Sequence, residues 1–313
     1  MMRVLMMATG EIAEPAFAAL LASGYEVLGL VTQPDRPFGR KQELRAPGVK
    51  CQALAAGVPV WQPEAVKEKG FLEEIRDLAP EVIVVMAYGQ LLPQALIDIP
   101  SRAIINLHAS LLPKYRGASC IQSALLAGDD ETGWTVMHVV QKLDAGDMIL
   151  QHPLKIAAGE TGGSLHDRLA SAAPSALLEG LDLLASGRAQ RVPQDENLTS
   201  YAPKLGRDDG VIDWSRPAAE IARLIQAYDP WPGTATQLEE GGKSRRLKVF
   251  APVTVRAGAG EAGEVLRADE EGLEVACGEG SVLLREVQVE GKRRMSAHEL
   301  TRGRPEILSA RLK

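Results

Sequence analysis

Apolar residues in the first part of this chain come as short unbroken runs between segments with helical spacing. Residues 3–7, 25–31 and 82–86 read as strands, the last (Val82-Ile83-Val84-Val85-Met86) apolar on both faces, as in a sheet covered on both sides. Between them, residues 15–21, 49–56 and 66–78 read as helices, with a short strand at 58–60 and a long loop from Gln33 to about Arg45. Strand, helix and strand in repetition predict a doubly wound parallel sheet whose ligands bind at the carboxyl ends of the strands. Further on, Ala103-Ile104-Ile105 closes a strand, residues 119–128 read as helix, 132–140 as strand, and 162–187 as a long amphipathic helix.

After about residue 189 the pattern changes. Gln194 to Arg207 is polar and turn-rich, as a linker is. A helix at 217–227 follows, then short β-prone runs at 247–250, 263–266, 273–277 and 281–287 parted by glycines. These predict a small antiparallel barrel. The expected organisation is an α/β domain over 1–189, a linker over 190–207 and a β-barrel domain over 208–313.

Composition narrows the function classes. Apolar residues make up 45% and charged residues 24% of the 313-residue chain, an ordinary globular balance with material for two cores. The three cysteines show no CxxC spacing and the five histidines no HExxH pattern, so neither a disulfide framework nor a metal requirement is expected. His166, inside the long helix, reads as a surface residue. No apolar stretch approaches the ~18 residues of a membrane span, and the N-terminal run suits a first strand better than a signal peptide. A cytoplasmic protein without a membrane partner is expected. A net charge of -6 means that any nucleic acid must be met by local basic patches. The loop Ala8-Thr9-Gly10-Glu11 is not GxGxxG, which disfavours a dehydrogenase.

The chemistry concentrates in Asn106-Leu107-His108-Ala109-Ser110-Leu111-Leu112-Pro113-Lys114-Tyr115-Arg116-Gly117. Residues i and i+2 of a strand share a face, so Asn106 and His108 project together from a strand's carboxyl end. Leu143-Asp144-Ala145-Gly146-Asp147 places carboxylates in a second loop. An amide, an imidazole and a carboxylate can together stabilise an oxyanion, move a proton and orient the imidazole. Any one of them alone is more often a turn residue.

These motifs resemble the folate-dependent formyltransferases, whose hallmark is an Asn, a His two residues later and a distant Asp. The resemblance covers essentially the whole chain. It implies a Rossmann-like N-terminal domain, an OB-like C-terminal barrel, and Asn106, His108 and Asp144 as the catalytic residues. It implies 10-formyltetrahydrofolate as formyl donor and co-substrate, held by Ser110, Leu111, Leu112 and Pro113, with no metal. The shared motifs identify the chemistry and not the amine acceptor. Gln33 to Arg40 and the tail segments 275–280 and 291–296 look most like the members that act on initiator methionyl-tRNA. That likeness implies formylation of the α-amino group of the methionine for translation initiation, by a monomer. Arg36, Arg40, Lys41 and Arg45 are then the expected tRNA contacts. The first loop departs from the family's usual Gly-Thr-Pro-Glu, and Ala145 stands where Thr is common. A sugar-amine formyltransferase, a 10-formyltetrahydrofolate hydrolase and a non-catalytic RNA- or folate-binding protein are the alternatives at this stage.

Overall fold

The computed structural model describes residues 1–38, 43–240, 243–302 and 305–313, which form two compact units. The first unit comprises residues 1–117, 131–155 and 166–202. Its sheet has seven strands: β1 (Arg3–Ala8), β2 (Glu26–Val31), β3 (Val60–Trp61), β4 (Val82–Met86), β5 (Ala103–His108), β6 (Glu131–His138) and β7 (Met148–Lys155). They lie in the order β7-β6-β5-β4-β1-β2-β3. The five strands from β3 to β5 are parallel, and β6 and β7 are antiparallel additions on the β5 side. This is the Rossmann-like order, with its reversal between β1 and β4. All five residues of β4 are buried, as its unbroken apolar run requires.

Two sequence expectations are corrected. The loop from Gln33 to Arg45 is not structureless: Arg36–Phe38 and Glu43–Arg45 pair as antiparallel strands. Strand β7 was not anticipated, because its polar alternation and Pro153 weaken the apolar signal. It is the edge of the sheet, where a proline removes no needed ladder bond.

The second unit comprises residues 118–130, 156–165 and 203–313. It contains β8 (Thr234–Glu240), β9 (Lys243–Arg256), β10 (Val265–Asp269), β11 (Gly272–Ala276), β12 (Ser281–Val289) and β13 (Arg311–Leu312), ordered β10-β11-β12-β9-β8-β13. The antiparallel sheet curls until its two ends meet through a Glu264–Arg311 bridge and the Leu312 N–H on the Gly263 carbonyl. Gly263 permits that approach: its φ is +82°, and a Cβ there would lie 2.0 Å from the Leu312 carbonyl oxygen. Ile212 and Trp214 are core residues of this unit. The indole of Trp214 donates to Thr236 Oγ1 at 2.9 Å, so its polar atom is satisfied inside the core.

No described helix is long and apolar enough to cross a membrane, and the described residues contain no group of three metal-type ligands. Cys51 is exposed, whereas Cys120 and Cys277 are buried, and burial pushes the Cys277 thiol up to about 11. A thiol reagent at pH 8 should therefore label Cys51 alone in the native protein and all three cysteines after denaturation. Mass spectrometry of the labelled chain checks this.

Candidate active site

The site is built where β5 ends. Asn106 and His108 face one side of that strand, while Leu107 between them is buried on the other. His108 is 6% exposed, and its Nε2 lies 2.8 Å from the Tyr115 carbonyl oxygen. A carbonyl only accepts, so Nε2 carries a proton and Nδ1 is the nitrogen that faces Asp144 Oδ2, 3.7 Å away. In a neutral ring that nitrogen would turn a lone pair toward the carboxylate; a second proton makes it a donor. Among the described residues the Asn106 side chain forms no hydrogen bond, so its amide remains available to a ligand.

Asp144 is held by backbone geometry. Its φ is +47°, a left-handed conformation that Asp tolerates better than most residues with a Cβ. Its Oδ2 accepts the Gly117 N–H at 2.8 Å. Gly117 has φ +116°, and a Cβ there would meet the Ala202 carbonyl oxygen at 2.4 Å, so only glycine presents this N–H unstrained.

The 110–113 loop is tied down by two residues that the sequence reading did not single out. Thr135, paired with His108 across the sheet, donates to the Ser110 carbonyl at 2.7 Å and accepts the Leu112 N–H at 3.1 Å. Gln151 donates to the Leu112 carbonyl at 2.9 Å. Ser110 and Leu112 are buried, and both backbone polar groups of Leu112 are engaged inside the protein. Leu111 and Pro113 are the partly exposed members of the loop.

A second set of supports comes from the stretch expected as linker, part of which runs along this first unit. The Ser200 carbonyl and hydroxyl accept the Arg116 and Tyr115 N–H groups, at 2.9 Å each. The Arg116 side chain is completely buried; its Nε donates to Gln194 Oε1 and its Nη2 to Glu196 Oε1, both at 3.0 Å. Hydrogen bonds from Arg116 and then Lys142 hold the Glu196 carboxyl down to about 2. Arg116 was visible in the sequence as part of the motif; its partners, 78 and 80 residues away, carried no local signal.

A cavity of about 350 Å³ shares Ala145, Gly146 and Asp147 with the Asp144 turn. Ile97, Ile104 and Val139 give it apolar walls, and Asp98, Arg102 and Arg191 a charged rim. His138 also lines it; burial lowers the His138 pKa, with the Arg191 charge adding to the shift and Asp147 opposing it.

Of the expected tRNA contacts, Arg36 and Arg45 stand directly opposite each other on the short hairpin, both exposed. Arg40 and Lys41 lie outside the described residues. Arg36 donates to Gln33 Oε1 at 3.3 Å and Arg45 reaches Glu11 at 3.5 Å.

The geometry can be set beside known proteins. Residues 2–181 match the formyl transferase family, and residues 204–305 match its C-terminal domain. The chain belongs to the formyl transferase family. This formyl transferase is 50% identical over 308 residues to the methionyl-tRNA formyltransferase of Akkermansia muciniphila, covering 98% of each chain. It is 44% identical over 302 residues to that of Geobacter sulfurreducens, covering 96% of this chain and 94% of the relative. Among solved structures it resembles the N-formyltransferase of Helicobacter canadensis in complex with folinic acid and dTDP-3-aminofucose, with a TM-score of 0.67 and 15% identity over 91% of this chain and 99% of that one. HypX of Aquifex aeolicus in complex with tetrahydrofolic acid is similar at a TM-score of 0.62 and 18% identity, covering 98% of this chain and 47% of the other. These structural likenesses speak to the fold.

Proposed function

We propose that this protein transfers the formyl group of 10-formyltetrahydrofolate to the α-amino group of methionine esterified to initiator tRNA. The observation that carries this is the full-length match, C-terminal domain included, to relatives named methionyl-tRNA formyltransferase. The amine nitrogen attacks the formyl carbon, and the carbonyl oxygen becomes an oxyanion. The Asn106 amide and the Nδ1–H of protonated His108 are its donors: Nε2 is held by the Tyr115 carbonyl, whereas Nδ1, 3.7 Å from Asp144, leaves room for the developing charge. As the C–N10 bond breaks, His108 supplies the proton that N10 needs, and Asp144 accepts the proton lost by the attacking amine, directly or through a water. The folate lies against the 110–113 loop, chiefly its exposed members Leu111 and Pro113, with the cavity beside the 144–147 turn as the candidate recess for its ring.

The acceptor end of the tRNA is met by Arg36 and Arg45, with Arg40 and Lys41 extending the same basic run. Two exposed guanidiniums directly opposite each other on paired strands give a doubly cationic spot of the kind a phosphate backbone seeks. In the C-terminal unit, Arg246 and Lys248 are exposed on β9 while Leu247 and Val249 fill the core, which supports a second set of phosphate contacts there. The protein works in the cytoplasm as a monomer.

The test is formyl transfer with 10-formyltetrahydrofolate and methionyl-initiator tRNA at two salt concentrations. Transfer is expected, with kcat/KM falling steeply as salt rises because phosphate contacts release counterions. Inertness on this tRNA together with transfer to a sugar-nucleotide amine would overturn the acceptor assignment. Formate release without any acceptor would point to a hydrolase.

A further inference from the structure

We propose that Gln194 is a positioning residue for the transfer step: its side-chain amide sets the Asp144 turn. The inference rests on the reading of Asp144 as a participant in that step. Gln194 Nε2 donates to the carbonyl oxygens of both Asp144 and Gly146, at 2.8 Å each, with Met137 Sδ farther off at 3.8 Å. Those two carbonyls flank Ala145, so one amide group pins the turn that holds Asp144 in its left-handed conformation. Gln194 Oε1 accepts Arg116 Nε at 3.0 Å, which decides which end of the amide faces the turn.

The same residue reaches the other side of the contact. Arg116 immediately precedes Gly117, whose N–H holds the Asp144 carboxylate. Gln194 therefore ties together the backbone that carries the carboxylate and the backbone that receives it. Arg116 depends on this arrangement, because it is fully buried and its Nη1 has no hydrogen-bond partner among the described residues. A glutamine suits both duties, since it is a double donor at one end and an acceptor at the other. Glutamate has the same shape and would keep Arg116, but it would set an oxygen against two carbonyl oxygens.

Gln194→Glu separates the two duties. If Gln194 only anchors Arg116, the substitution is neutral or raises the melting temperature and leaves catalysis alone. If it positions Asp144, kcat should fall about 10–100-fold, since misplacement by about 1 Å is enough for such losses. KM for folate and for tRNA should stay within about twofold. The same substitution in an Asp144→Asn background should cost nothing further, because a residue that acts through another is not additive with it. Full-length variants would be compared by steady-state kinetics and thermal melting. Should Gln194→Glu fail to fold, Gln194→Met, which removes both sets of bonds without adding charge, is read only by its non-additivity with Asp144→Asn. A kcat within twofold of the parent, or an undiminished loss in the Asp144→Asn background, overturns the proposal. Wild-type activity in Asp144→Asn itself would instead overturn the role given to Asp144.

Discussion

Replacing His108 by alanine should lower kcat for formyl transfer by about 10²–10⁴-fold, the range for loss of a general acid or an oxyanion donor. Two separate consequences must be told apart. The imidazole is buried and its Nε2 donates to the Tyr115 carbonyl, so removing it deletes a hydrogen bond worth about 0.5–1.5 kcal/mol. It also removes a titratable group that sits at the end of β5 and faces Asp144. His108→Gln isolates the second effect, because a glutamine amide can reach the Tyr115 carbonyl yet cannot shuttle a proton at neutral pH. It should melt close to the parent while losing as much kcat as the alanine variant. A glutamine variant that retains more than about a tenth of the activity would show that the ring serves structure and not chemistry.

Gly146→Ala should cost both stability and activity. A Cβ at this position would lie 1.8 Å from the His138 carbonyl oxygen and 2.8 Å from its carbon, so the backbone must move. His138 ends β6, which is paired on both sides, and its N–H donates to the Asp147 carbonyl at 2.9 Å. The strand is therefore the fixed partner and the turn is the part that yields. Overpacking of this kind costs about 1–3 kcal/mol, and a domain of this size loses roughly 2–4 °C of melting temperature per kcal/mol. As the turn shifts, Asp144 leaves the Gly117 N–H, and kcat should fall by about tenfold or more. Gly24→Ala is the matched control, since its Cβ would meet nothing within 4 Å. Equal melting temperatures and rates for the two variants would mean that the turn has slack the structure does not show.

The parts of the fold that were legible in the sequence are those with a local hydrophobic period. Strands β1, β2, β4 and the end of β5 stood out because strands covered on both sides carry runs of apolar residues, and β4 is buried throughout. The paired strands 36–38 and 43–45 were read as loop because they are only three residues long and Glu43–Arg45 is exposed throughout, so no burial pattern marks them. Strand β7 was missed for a similar reason. Asn106 and His108 were legible as a pair because a strand's period of two is a local rule. Asp144 lies 36 positions from His108, and its place beside the imidazole came from the family likeness rather than from any period.

The sequence by itself determined the class of fold and the residue types that can do formyl-transfer chemistry. Only the tertiary structure decided how those residues are held. Which nitrogen of His108 faces Asp144 follows from the Tyr115 carbonyl, and the strained turn at Asp144 is set by Gly117 and Gln194. Part of the stretch that reads as a linker in sequence supplies the clamp in space. The reason is physical: burial is reported by neighbours along the chain, whereas a hydrogen bond between residues 50 positions apart leaves no periodic trace in either of them.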